Sequence, residues 1–309
     1  MPIRTILTPF VDASDTPALR SALAAATHLE AHVIGLYAEA PERSMPSAGR
    51  VPAMAGPGGG SFGMSGIRAE LSHLPDPVTE ATRQRDQAAE SARAGFRMLC
   101  EKFGVPVQAD GSVDAEGYAL PSASFRREIG SLPRLVGQLG HACDLIVMES
   151  AAIAPKDAKV RAAIKTALLH AGRPVLLAPT HTPDRLDGRV LVAWNDTPQS
   201  WHALSVALPF LTLAAEVMLF HAGKDPVERQ AEARAADYLG WHGVKAETLQ
   251  REPAGRDVAD YLLSQCNELQ VGLMVMGAYS HSPLRESLFG GVTREIVANV
   301  AATPVLMVH

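Results

Sequence analysis

The most informative segment of the sequence is Leu273-Met-Val-Met-Gly-Ala-Tyr-Ser280, which is followed after nine further residues by Gly290-Gly-Val-Thr293. Its apolar start is typical of a buried strand, and a helical pattern begins at Thr293. In a strand–glycine–helix segment, the backbone N–H groups of the glycines and of the first helical turn can bind an anion. The partial positive charge at the start of the helix favours the anion further. An ordinary tight turn explains the same glycines, so the spacing alone leaves both interpretations open.

The chain contains the same succession of elements twice. Ile6-Leu-Thr-Pro9 precedes Asp15-Thr-Pro17, and Val190-Leu-Val-Ala193 precedes Asp196-Thr-Pro198. In both copies the Asp-Thr-Pro segment predicts a helix N-cap with proline in the first turn. The repeat indicates an internal duplication.

Each copy ends with two strand-like segments, at residues 144–148 and 174–177 in the first and at residues 272–276 and 304–307 in the second. Near-continuous apolar strands that alternate with helices predict a parallel sheet covered on both faces. The predicted fold class is therefore α/β, with two doubly wound parallel-sheet domains at residues 1–181 and 186–309. Ligands of such sheets bind at the carboxyl ends of the strands.

The two copies differ in ways that bear on function. Residues 44–77 of the first copy are rich in Gly, Pro, Ser and Met, which predicts a loop that is either a lid or a tolerated surface insertion. Residues 110–124 form a second stretch that is predicted to be irregular. After Met148 the first copy has no glycine before Gly172. Its glycine loop is degenerate, and only the second domain is predicted to bind a nucleotide.

Composition excludes several classes of protein. The formal net charge of −5 argues against a nucleic-acid partner. The longest apolar region, residues 206–220, contains Pro209 and Glu216 and is too short to span a bilayer. The start of the chain lacks a secretory pattern, and the three cysteines form no CxxC motif. These features predict a cytoplasmic protein with buried free thiols and no membrane partner.

No motif predicts catalysis or a metal centre. The sequence contains neither a Gly-x-Ser-x-Gly elbow nor a Gly-x4-Gly-Lys-Ser/Thr phosphate loop. The prediction therefore assigns no catalytic residue and no metal ligand, and the chain is expected to be at most a slow ATP hydrolase.

The duplicated α/β pattern and its glycines resemble the universal stress protein family in its tandem two-domain form. That family ends its fourth strand with Gly-x2-Gly-x9-Gly-Ser/Thr, and Gly277, Ser280, Gly290 and Gly291 stand at those four places. Two places match and two depart. The resemblance implies adenine-nucleotide α-hydrolase-like domains, with ATP, with or without Mg²⁺, as the cofactor of the second. It also implies pairing of the two domains through their final strands as a pseudo-dimer, with a homodimer as a further option.

The resemblance implies a nucleotide site formed by Ala193, Trp194, Asn195, Ala222, Met276, Gly277, Ser280, Gly290, Gly291, Val292 and Thr293. Within this set Gly277 is expected to face the ribose and phosphates. The glycine pair and Val292 are expected to donate backbone N–H groups, and Thr293 or Ser280 a hydroxyl. Asn195 stands where the family usually has an aspartate, and Trp194 either stacks on the base or caps the edge of the core.

The sequence leaves two functions open. In one, the protein is a stress-response protein whose second domain binds ATP or another adenine nucleotide. In the other, it is a nucleotide-free interaction scaffold in which the glycine loop is vestigial. Ser280 is the departure that separates them, because a non-glycine residue held at positive φ costs about 1–2 kcal/mol.

Overall fold

A computed structural model describes residues 2–11, 15–40, 77–108, 119–153, 158–180, 186–223, 226–279 and 291–309. The predicted insertion at residues 44–77 lies outside these residues except for its last position, and Ser280 and Gly290 also lie outside them.

Within these residues the chain forms ten strands and eight α-helices. The strands are β1 (Thr5–Phe10), β2 (His32–Glu39), β3 (Ser122–Ile129), β4 (Leu145–Glu149), β5 (Val175–Ala178), β6 (Arg189–Ala193), β7 (Glu216–His221), β8 (Ala246–Gln250), β9 (Leu273–Gly277) and β10 (Val305–Val308). The helices are α1 (Pro17–Leu29), α2 (Pro77–Lys102), α3 (Leu132–Leu139), α4 (Ala158–His170), α5 (Pro198–Leu211), α6 (Pro226–Trp241), α7 (Val258–Glu268) and α8 (Gly291–Asn299). The prediction of an irregular stretch at residues 110–124 is wrong at its end, because the last three residues belong to β3.

The strands form one sheet in the order β3-β2-β1-β4-β5-β10-β9-β6-β7-β8. Every neighbouring pair is parallel except β5 and β10, which are antiparallel with Leu306 opposite Leu176. Each copy therefore contributes five strands in the order 3-2-1-4-5, as expected for a doubly wound fold with parallel strands. The predicted fold class is confirmed, and so is the contact between the final strands of the two copies.

The two Asp-Thr-Pro segments start helices as predicted. Thr16 is the N-cap of α1, and its hydroxyl accepts a hydrogen bond from the N–H of Leu19 at 3.2 Å. Thr197 is the N-cap of α5 and forms a capping box with Ser200. In both helices proline occupies the first turn, where its missing N–H costs no hydrogen bond.

Apolar side chains fill both faces of the sheet. Among the described residues, the largest fully buried side chains are those of Phe96, Phe210 and Phe220. The three cysteines are free and buried, as predicted. Burial raises the pKa of the Cys100 and Cys266 thiols to about 12 and that of Cys143 to about 11, so all three stay protonated at neutral pH. Among the described helices, none is both long and apolar enough to cross a bilayer.

Candidate functional site

A cavity of about 190 Å³ opens at the carboxyl ends of three adjacent strands of the second copy. Ala193 at the end of β6 is in register with Phe220 of β7 on one side and with Met276 of β9 on the other. The first turns of α7 and α8 close the remaining sides of the cavity. Its lining residues are Ala193, Trp194, Asn195, Phe220, His221, Ala222, Val258, Leu262, Met276, Gly277, Gly291, Val292 and Thr293.

Nine of the eleven residues predicted for the site line this single cavity, and the other two, Ser280 and Gly290, lie outside the described residues. Sequence reasoning missed Phe220, His221, Val258 and Leu262. Phe220 and His221 could have been found, because they end the strand that precedes the predicted Ala222. The other two belong to α7, and no sequence motif marked the start of that helix as part of a site.

Gly277 is explained by packing against α5. A Cβ at this position would lie 2.7 Å from the carbonyl carbon of Gln199 and 2.8 Å from the backbone nitrogen of Ser200. Real Cβ atoms do not approach backbone atoms this closely, so only glycine lets the first turn of α5 pack on the end of β9. The sequence left a tight turn and the approach of a phosphate open as reasons for this glycine, and close packing against α5 is a further physical reason for it.

The indole of Trp194 belongs to the core. The residue is only 3% exposed, and its ring meets the ring of Trp201 edge to face, with centroids 4.8 Å apart. Stacking on a base would require the ring to leave Trp201, so the structure favours the second of the two roles considered for it. Its buried Nε1 has no hydrogen-bond partner among the described residues.

The backbone of Trp194 ties two strand ends together at the cavity. Its N–H donates to the carbonyl oxygen of Phe220 at 2.8 Å. Its carbonyl oxygen lies 3.1 Å from Nδ1 of His221, a buried side chain. A carbonyl can only accept, so Nδ1 carries the proton in this contact. His221 therefore fixes the end of β6 against the end of β7.

Asn195 lies exposed at the rim of the cavity. Its Oδ1 accepts a hydrogen bond from the hydroxyl of Thr197 at 2.8 Å. The next residue, Asp196, adopts a left-handed conformation with φ of 52°. Its carboxylate accepts hydrogen bonds from Trp201 Nε1 at 2.9 Å and from Arg234 at 3.2 Å. These two partners lie on α5 and α6, so the carboxylate binds to these helices.

The first turn of α8 faces the cavity through Gly291, Val292 and Thr293. The first N–H groups of a helix have no partner within the helix, and this end of the helix carries partial positive charge. Thr293 is buried, and its hydroxyl accepts a hydrogen bond from the N–H of Tyr279 at 3.3 Å. Tyr279 has a φ of 61°, so the left-handed turn after β9 falls on tyrosine rather than glycine.

Tyr279 also connects the site to the end of β10. Its ring meets that of His309 edge to face at 5.7 Å. Burial raises the pKa of Tyr279 to about 12, which keeps the phenol protonated at physiological pH.

The equivalent place in the first copy is built differently. The registers β1–β4 and β6–β9 make Phe10 equivalent to Trp194 and Glu149 equivalent to Gly277. Phe10 packs in an aromatic cluster with Tyr37, Phe96 and Phe125. Glutamate at the position of Gly277 adds negative charge at this edge of the sheet, which disfavours a phosphate there.

Comparison with protein-family models and with curated proteins finds no match. Solved structures do match. A universal stress protein from Archaeoglobus fulgidus is 15% identical, with 98% of this chain and 97% of that chain covered and a TM-score of 0.59. A functionally unknown protein from Pseudomonas aeruginosa is 17% identical, with coverage of 99% and 92% and a TM-score of 0.51. The chain thus shares its fold, over nearly its full length, with a solved universal stress protein structure.

Proposed function

We propose that this chain is a tandem universal stress protein whose second copy binds an adenine nucleotide in the cavity between β6, β7, β9 and α8. The observation that carries the proposal is the convergence of an apolar pocket and a helix N-terminus in one cavity. Nucleotides have an apolar base and an anionic phosphate, and ligand pockets combine apolar walls with a few placed polar groups in the same way.

The base fits the apolar part of the cavity. Phe220, Leu262 and Met276 are buried side chains from two strands and a helix that converge on this space. Burying one face of a purine against such walls is favourable at about 25 cal/mol for each Å² of apolar surface removed from water.

The phosphates fit the first turn of α8. Three consecutive residues of that turn line the cavity, and a glycine starts the helix at Gly291. Among the described residues, no atom lies within 4 Å of the place where a Cβ would stand on Gly291, so none of them keeps an anion from the backbone there. ATP is the ligand that the family resemblance implies, and this turn is where its phosphates would bind.

The second candidate is a nucleotide-free interaction scaffold. The packing reason for Gly277 favours it, because that glycine would be required by the fold even without a ligand. The two candidates differ in one property, which is saturable binding of a nucleotide by the isolated protein.

Isothermal titration calorimetry of the purified chain with ATP, in buffer with Mg²⁺ and in buffer with EDTA, tests the proposal. We expect one site per chain, since the first copy has glutamate at the position of Gly277. Ala222→Phe fills the cavity from the end of β7 and should lower the affinity at least about tenfold. Ala233→Phe, at an exposed position on α6, is the matched control. Absence of binding in both buffers would refute nucleotide binding and favour the scaffold.

A further inference from the structure

The hydroxyl groups around the start of α5 determine which atom of Asn195 a ligand meets. The Ser200 hydroxyl donates to the carbonyl oxygen of Thr197 at 2.8 Å. The Thr197 hydroxyl accepts from the N–H of Ser200 at 3.3 Å. Its own proton then goes to Oδ1 of Asn195 at 2.8 Å, since the other acceptor, the Ser200 hydroxyl, lies at 3.4 Å.

Because Oδ1 is engaged by Thr197, the amide nitrogen of Asn195 is the group that can bind a ligand at the rim of the cavity. It carries two protons and cannot accept a hydrogen bond. Nδ2 of Asn195 has no hydrogen-bond partner among the residues that the structure describes. A carboxylate at this position would present the opposite chemistry, with acceptors only.

Thr293 presents a donor for a similar reason. Its oxygen already accepts the N–H of Tyr279, which uses one of its two lone pairs and leaves its proton for donation to a ligand. The first N–H groups of α8 add further donors on the same side of the cavity.

Two carboxylates on the described elements around the cavity are already engaged. Asp196 accepts from Trp201 and Arg234. Asp257 is the N-cap of α7, where its Oδ1 accepts from the N–H groups of Ala259 at 2.8 Å and Asp260 at 3.4 Å. Within the described residues, no group of three or more His, Cys, Asp or Glu side chains could hold a metal ion.

Donors and metal ions compete for the same ligand oxygens. Mg²⁺ is bound through one or two protein carboxylates together with phosphate oxygens, and an N–H₂ group directed at the ligand repels the cation. We propose that this cavity binds its nucleotide as a metal-free anion, an inference that rests on the proposed function. Asn195 Nδ2 and Thr293 Oγ1 donate hydrogen bonds to oxygens of the sugar–phosphate moiety.

The first test compares the affinities for ATP and AMP in EDTA and in Mg²⁺ by calorimetry. We expect AMP, which chelates Mg²⁺ only weakly, to bind equally in the two buffers within about threefold. ATP should bind more than about threefold more weakly in Mg²⁺ than in EDTA, because the cation occupies the phosphate oxygens that the donors need. If the affinity for ATP in Mg²⁺ equals that in EDTA within about threefold, or is higher, the inference is wrong while nucleotide binding stands. If neither nucleotide binds in either buffer, the proposed function fails and the inference with it.

The second test changes the donor at position 195. Asn195→Asp replaces N–H₂ with an acceptor of nearly the same shape, so the affinity for ATP in EDTA should fall at least about tenfold and recover partly with Mg²⁺. Asn267→Asp makes the same change at an exposed position on α7 and should leave both affinities unchanged. An Asn195→Asp protein that binds ATP in EDTA as tightly as the wild type would overturn the assignment of Nδ2.

The third test addresses the hydroxyl of Thr293. Thr293→Val keeps the shape and removes the donor, so the affinity in EDTA should fall about tenfold, and Thr293→Ser should restore it. Thermal denaturation of both variants without ligand separates this effect from damage to the turn at Tyr279. Equal affinities of the valine and serine variants would contradict the role of this hydroxyl.

Discussion

At the scale of single residues, the residues of the site already contact other parts of the protein. Gly277 makes room for α5, and Asn195 is oriented by Thr197. Sequence reasoning assigned both residues to one predicted site, and both line the same cavity, but it could not supply their orientations. Those orientations depend on contacts with the helix that starts at Pro198. Trp194 illustrates the same limit, because its partner Trp201 is seven residues away in the chain and meets it only in the folded protein.

Gly277→Ala should destabilise the protein by about 2 kcal/mol, because the added methyl group meets backbone atoms that cannot rotate away. Urea denaturation measures the effect as a change in the free energy of unfolding. Gly240→Ala on α6 is the matched control, because no atom in the part of the chain that the structure describes lies within 4 Å of its added Cβ. That variant should be as stable as the wild type or more stable by up to about 1 kcal/mol. Similar losses for both variants would argue against close packing at Gly277.

At the scale of elements, the prediction succeeded where the pattern was strong. Central strands such as β4 and β9 are continuous apolar runs, and α1 and α5 begin at Thr-Pro caps. The edge strands were not identified. β8 is mostly half-exposed or exposed, and β3 carries Arg126 and Arg127 near its end. Natural edge strands are often short and carry charged side chains, which discourage pairing with another chain, so an apolar pattern does not reveal them.

The N-cap of α5 supports both the helix and the orientation of Asn195. Thr197→Ala should lower the free energy of unfolding by about 1 kcal/mol, because the N–H of Ser200 loses its acceptor. Thr197→Ser keeps the oxygen and should retain most of that stability. Urea denaturation of both variants measures the difference, and equal stabilities would show that the hydroxyl does not cap the helix.

The pairing of β2 with β3 should make stability depend on pH through His32. Its ring nitrogens lie 2.8 Å and 2.9 Å from the hydroxyls of Ser122 and Ser124, and burial lowers the pKa of this histidine below 6.5. As pH falls, His32 is protonated near pH 6.5 in the unfolded chain but only at a lower pH in the folded protein. The free energy of unfolding therefore decreases as pH falls.

The variant His32→Gln isolates this effect. The stability difference between wild type and variant should be constant above the unfolded pKa and shrink as pH falls from 6.5 through the lower pKa of the folded state. Urea denaturation at a series of pH values measures the difference, and NMR titration of the ring gives the pKa directly. A flat difference, or a ring that titrates above 6.5, would contradict the prediction.

At the scale of the whole molecule, the two copies share one continuous sheet. Leu176 of β5 and Leu306 of β10 face each other across the antiparallel junction, and both are fully buried. The duplicated sequence predicted two doubly wound parallel-sheet units, and the family resemblance predicted their contact through the last strands. Because apolar contacts run through the junction, we expect the two copies to unfold together.

The tryptophans allow this expectation to be tested, because Trp194, Trp201 and Trp241 all lie in the second copy. Tryptophan fluorescence reports on that copy alone, whereas far-ultraviolet circular dichroism reports on both.

Leu19→Ala creates a cavity under α1 of the first copy, where Leu19 is 2% exposed, and should lower the free energy of unfolding by about 2–5 kcal/mol. If the copies are coupled, this variant lowers the urea midpoint of the fluorescence and dichroism signals equally. The control variant is Leu213→Ala, at a residue that is 49% exposed. It should change the free energy of unfolding obtained from either signal by no more than about 0.5 kcal/mol. A fluorescence midpoint that stays at the wild-type value in Leu19→Ala would mean that the second copy unfolds independently.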